Sequence, residues 1–145
     1  MKKRSAANLA WRKPPEEELV FFLDRQLGRY KMAGILRAAA VNVEVHDDHF
    51  SQDALDPEWL KAVGERNWIV ITRDERIRYN VAEKQAIRRA KVRAFVLAAQ
   101  GNLRAEMLAA IFLQALPKIR RVVEKQKPPF IAKISRSGDV TVLDF

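Results

Sequence analysis

The chain has 145 residues, of which 48% are hydrophobic, and a formal net charge of +9. That length predicts a single domain with an ordinary core and excludes wholesale disorder. With no cysteine, disulfide frameworks and thiolate–zinc sites are excluded, in keeping with a reducing cytoplasm, and the positive charge points to a polyanionic partner: nucleic acid, an acidic protein or an anionic membrane surface.

Residues 1–17 are polar and carry Lys2, Lys3, Arg4, Arg12 and Lys13, then "KPPEEE". They predict a flexible lead-in, without the apolar stretch of a signal peptide. No apolar run reaches the roughly 18 residues of a membrane span. Residues 18–145 are expected to form the folded domain. "LVFFLD" (19–24) is a continuous apolar run, the pattern of a strand buried on both faces, and Gly28 follows as a loop residue. "YKMAGILRAAA" (30–40) predicts a helix, and "VNVEVHD" (41–47) alternates as a strand, with a polar loop over 47–56. "DPEWLKAVGERN" (56–67) predicts a helix with Asp56 as N-cap and Pro57 at its first position. "WIVITRD" (68–74) is a third strand; "ERIRYNVAEKQAIRRAK" (75–91) is a helix with a poor apolar stripe, exposed or covered by a partner. "RAFVLA" (93–98) is a fourth strand, and residues 102–125 are a long apolar helix that Pro117 ends or kinks. "PFIAKI" and "VTVLDF" flank "SRSGD" as a C-terminal hairpin.

Strands alternating with helices predict an α/β fold: a mostly parallel sheet covered on both faces, with its functional crevice beyond the carboxyl ends of the strands. Asp24 and Asp74 end the first and third strands, and Asp56 opens the helix that leads into the third. Carboxylates gathered at one sheet edge repel one another, and some stay protonated unless a cation sits among them. Hard oxygen ligands suit Mg²⁺ or Mn²⁺. Singly, Asp56 and Asp74 also read as helix caps, and Asp47 and Asp48 as loop residues; the conjunction is what points to a metal. Arg25, Arg73 and Arg76 flank these acids. They either dock a phosphate through bidentate contacts or neutralise the carboxylates. Arg88, Arg89 and Lys91 belong to a basic cluster that reads as an RNA-binding face or a solvated surface. His46 and His49 are the only histidines and lack the further ligands of a zinc site. Trp11, Trp59 and Trp68 read as core or lid residues. No phosphate-binding glycine motif or serine nucleophile elbow occurs.

Together, "FFLDRQLG", "DALDPEWL" and "IVITRDERI" resemble the PIN-like nucleases, and among them the VapC-type toxins. The resemblance covers about residues 19–115. It implies an α/β/α sandwich that cuts RNA with Mg²⁺ or Mn²⁺, with Asp24, Asp56 and Asp74 as catalytic metal ligands. Thr72, two residues before Asp74, is placed to hold a water beside the ion. Many such proteins carry a glutamate on an early helix, which "YKMAGILRAAA" does not offer; Glu58 and Asp53 are the alternatives for it. Asn102, at a helix start near the same edge, reads as an N-cap or a neutral ligand. The expected function is therefore a cytoplasmic metal-dependent endoribonuclease, the toxin of a toxin–antitoxin pair, partnered by RNA and by an antitoxin from a neighbouring gene, with a homodimer left open. The alternatives are a non-catalytic RNA-binding module on the same fold and a basic protein that docks an acidic partner.

Overall fold

In the computed structural model, which describes residues 19–27, 30–54 and 56–145, the apolar runs of the sequence lie side by side at the centre of one sheet. Its strands are β1 (Phe21–Leu23), β2 (Val43–Val45), β3 (Ile69–Thr72), β4 (Arg93–Leu97), β5 (Phe130–Ile134) and β6 (Val140–Leu143). They are arranged in the order β2-β1-β3-β4-β5-β6. The first five run parallel and β6 returns antiparallel to β5, so the C-terminal hairpin extends the sheet. In register, Leu23 lies between Val45 and Ile71, and Thr72 lies opposite Val96. Every residue of β1, β3 and β4 is buried, as expected where helices cover both faces of a parallel sheet.

Alternation along the strands divides the core in two. Phe21, Leu23, Ile69, Ile71 and Phe95 face α1 (Lys31–Ala38) and α6 (Ala105–Lys125). Phe22, Val70, Ala94 and Val96 face α3 (Asp56–Glu65) and α5 (Val81–Ala90). The result is an α/β/α sandwich. Two single helical turns, α2 (His46–His49) and α4 (Arg76–Tyr79), sit at strand ends. Phe22 anchors an aromatic cluster, with Trp59, Trp68 and Phe50 at centroid distances of 5.5, 5.9 and 5.9 Å. Trp59 and Trp68 are thus packed against the core. No helix among the described residues is long and apolar enough to cross a membrane.

Several local expectations change. The segment 75–91 is two helices rather than one, because Asn80 is extended (φ −78°, ψ 121°) and its Oδ1 accepts the Glu83 amide at 3.1 Å, restarting the helix as an N-cap. Its apolar residues Ile77, Ala86 and Ile87 are buried against the sheet, so this segment helps to build the core. The expected 47–56 loop begins as α2, and His46 is wholly buried. Pro117 does not end α6: Leu116, Ile119 and Val123 stay buried around and beyond it, and this packing outweighs one missing backbone bond. Asn102 is exposed and does not cap α6, whose flanking residue is Arg104. The 1–17 lead-in, Trp11 and Gly28 lie outside the described residues.

Helices α3 and α5 touch through backbone. A Cβ at Gly64 would lie 2.2 Å from the Ala90 carbonyl oxygen. Neither partner is a side chain that can rotate away. Gly64→Ala is therefore expected to destabilise the protein by about 1–3 kcal/mol, despite the better helix propensity of alanine. A drop in the midpoint of chemical denaturation checks this; a raised midpoint would show that the helices part without cost.

Candidate metal centre

Strands β1 and β3 are neighbours, but the chain leaves them in opposite directions. After β1 it crosses through α1 to β2; after β3 it crosses through α5 to β4. Such a switch point leaves a crevice at the carboxyl ends of the two strands. Asp24 follows β1 directly, and Asp74 follows β3 by two residues. Over the same edge stand the first turns of α3 and α5, which contribute Asp56 and Glu83. Four carboxyl groups from four separate elements therefore meet at one place.

Each is held differently. Asp24 is 6% exposed. Thr72 Oγ1 donates to its Oδ2 at 2.5 Å, and the Asp74 amide donates to Thr72 Oγ1 at 2.9 Å. Burial raises the Asp24 pKa above the usual carboxylate range, against the hydrogen bonds from Thr72 and the Gln26 amide; the nearby charges of Asp56 and Asp74 add to the rise. Asp74 is lowered, first by its hydrogen bonds to Arg76. Arg76 Nε donates to both Asp74 oxygens, at 2.9 and 3.1 Å, and Nη2 donates to Oδ2 at 2.6 Å. Asp56 Oδ1 accepts from Trp59 Nε1 at 3.0 Å, and Arg25 Nη2 lies 3.9 Å from the same oxygen. The Glu83 carboxyl is pushed up to about 7 by burial, by a hydrogen bond with Asp56 and by the charges of Asp74 and Asp56. Its Oε2 is buried without a hydrogen-bond partner.

Asp56, Asp74 and Glu83 each offer one oxygen, and these lie within 4.8 Å of one another. Between the acids is a void of about 20 Å³, lined also by Thr72, Trp59, Leu60, Val70, Ile77 and Ile87. That is room for one water or ion. Hard oxygen donors, an orphaned carboxyl oxygen and a void of this size fit a divalent cation. Outside it opens a groove of about 430 Å³, whose rim includes Arg25, Asp53, Arg76 and Asn80.

Of the residues singled out in the sequence, Asp24, Asp56, Asp74 and Thr72 are brought together, and Arg25 and Arg76 stand at the rim. Arg73 turns aside: its Nη2 donates to the Ala99 carbonyl and, at 3.1 Å, to that of Gly101. Asp53 lines the groove but is not part of the cluster. Glu58 is exposed on α3. Two residues on from Asp56, it lies about 200° round the helix, while Trp59, at i+3, shares the inward side with Asp56. Glu83, rather than Glu58 or Asp53, joins Asp56 and Asp74 in the cluster. The pattern that marks Glu83 is Asn80-Val81-Ala82-Glu83, an N-cap followed by an acid in the first turn. Arg88, Arg89 and Lys91 are not brought to the site. They close α5 and lead into the start of β4, at the opposite edge of the sheet, where the Arg88 guanidinium lies 4.7 Å from the Phe145 ring centroid.

The family model of a PIN-like domain matches residues 19–99, more than half of the chain. The chain belongs to the PIN-like domain family. No curated protein and no solved structure matches it. The match runs from just before β1 to just after β4 and takes in all four carboxyl groups, leaving α6 and the β5–β6 hairpin outside. A PIN-like domain is a nuclease-type fold, and the acidic cluster occupies its switch point.

The Glu83 proton gives a pH test. Its folded pKa of about 7 lies above the ordinary 4.5, so its contribution to stability is fully present below about 4.5 and is lost as pH rises through about 7. Glu83→Gln cannot titrate. In chelator, the melting temperature of this variant minus that of the wild type should become more positive from about pH 5 to pH 8. A difference that stays flat across the window would mean that Glu83 holds no displaced proton.

Proposed function

We propose that this protein is a Mg²⁺- or Mn²⁺-dependent endoribonuclease acting as the toxin of a toxin–antitoxin pair. The observation that carries the reading is the convergence of Asp24, Asp56, Asp74 and Glu83 at the switch point, with three of their oxygens within 4.8 Å. Asp56, Asp74 and Glu83 would hold the cation, and Asp24, fixed by Thr72, would stand behind them. A bound divalent cation supplies charge that acidifies water and polarises a phosphate oxygen.

The chain's own groups do the rest. Glu83, whose carboxyl is pushed up to about 7, would have to lose its proton to serve as a ligand. Thr72 keeps the Asp24 carboxylate in one orientation through its hydroxyl hydrogen. The apolar wall of Trp59, Leu60, Val70, Ile77 and Ile87 excludes water from one side, which strengthens every charge interaction in the pocket. Arg76 is paired with Asp74 but keeps a side chain that is 66% exposed. It is placed to turn from the carboxylate to a substrate phosphate. Arg25, at the Asp56 side of the groove, brackets the same phosphate path.

Calorimetric titration with Mn²⁺ and cleavage of a mixed RNA transcript pool test this reading. Asp74→Asn is expected to weaken the cation by at least about tenfold and to abolish cleavage, while RNA binding persists or tightens because a negative charge is gone. Mn²⁺ binding without any cleavage by the wild type would favour the RNA-binding module instead.

The toxin reading adds an inhibitor. An acidic or amphipathic antitoxin segment is expected beside α4 and the start of α5, where Tyr79 and Val81 are 69% and 68% exposed, with a carboxylate on Arg76. Arg76→Ala, co-expressed with the product of the neighbouring gene, should bind its partner more weakly and co-purify poorly. Undiminished co-purification, with RNA still entering the complex, would remove Arg76 from the inhibitory contact.

A further inference from the structure

A second cleft, of about 710 Å³, lies beside the carboxyl groups over the ends of β4 and β5; Gln26, Arg73, Arg78, Tyr79, Gln100 and Lys133 line it. Its single carboxylate, Glu75, is engaged by Arg78 at 2.8 Å. Arg73 donates only to backbone carbonyls, and among the described residues neither it nor Lys133 meets a carboxylate. Among the described residues the cleft therefore holds two positive charges without counter-ions. Beside them Tyr79 is 69% exposed, and the Arg78 guanidinium lies 5.1 Å from its ring centroid. An aromatic ring kept in water and steadied by an arginine does no packing work for the fold. It offers a flat face next to unpaired cations, which is how proteins hold an unstacked base and its phosphate. The amides of Gln26 and Gln100 supply donors and acceptors for a base edge.

The cleft is continuous with the carboxyl groups along the chain. Arg73 adjoins Asp74, and the amide of Gln26 supports Asp24. We propose that this cleft is a nucleotide subsite for single-stranded RNA, with the base stacked on Tyr79 and its phosphate met by Arg73 and Lys133. This rests on the ribonuclease reading only in that the next phosphodiester of the strand would reach the carboxyl groups. A paired base hides its face and cannot use Tyr79, so the subsite selects unpaired strands.

Fluorescence anisotropy with a labelled single-stranded RNA oligonucleotide and its duplex, in chelator so that nothing is cut, tests the subsite. Tyr79→Ala should weaken the single strand by about tenfold with an unchanged melting temperature and salt slope. Tyr79→Phe should bind as the wild type does. Lys133→Gln should reduce the salt slope by about 0.7, and duplex binding should ignore Tyr79. Wild-type affinity in Tyr79→Ala, or an equal loss on both RNAs, overturns the proposal. So does RNA binding unmoved in every variant alongside a polyglutamate peptide that Lys133→Gln no longer holds, which would give the cleft to an acidic protein. Because binding is read without cleavage, a protein that cuts nothing yet shows the Tyr79 dependence sinks the nuclease reading alone. One that cuts RNA without that dependence sinks the subsite alone.

Discussion

Four carboxyl groups cannot all carry their charge in a small, partly dry pocket. Mutual repulsion and lost hydration would drive protons back on. The surroundings of the crevice answer this constraint. Asp24 is buried and raised, and held by a hydroxyl; Asp74 is lowered by a guanidinium; Glu83 keeps a proton up to about pH 7. Asp24 and Glu83 are thus shifted one way and Asp74 the other, and the differences come from neighbours that the fold delivers.

That delivery depends on backbone more than on the acids. The β1–β3 pairing sets Leu23 against Ile71, and the Asp24 amide donates to the Ile71 carbonyl at 3.0 Å. The first acid is thereby tied to the strand that leads to Thr72 and Asp74. On the other side, close contact of Gly64 with Ala90 lets α3 and α5 lie together, so that their first turns bring Asp56 and Glu83 over the same edge. A helix that stood farther off would still present an acid, but not one within reach of the other three.

Much of this was legible in the sequence because its cause is local. Central parallel strands are buried on both faces, so 19–24 and 68–74 read as continuous apolar runs, and the aspartates that end them read as strand-end acids. Asp56-Pro57 is a helix start on chemistry alone. What stayed hidden depended on tertiary placement. Asn80 sits in a charge-rich stretch whose helical character masks the break, and without that break Glu83 falls in mid-helix rather than in a first turn facing the crevice. The cluster of Arg88, Arg89 and Lys91 announces positive charge but not the end of α5 on which it lies. Lys133 reads as an ordinary strand residue; only the parallel pairing of β5 with β4 brings it beside the crevice.

The ion pair of Arg76 with Asp74 has an arithmetic consequence. With the Glu83 proton, it places one guanidinium and one hydrogen ion against the triad of Asp56, Asp74 and Glu83, two positive charges in all. A divalent cation brings the same two. If such an ion displaced both, the charge against the triad would be unchanged, while a monovalent ion would leave it one charge short. That displacement would also free Arg76 at the mouth of the pocket to face whatever anion arrives next.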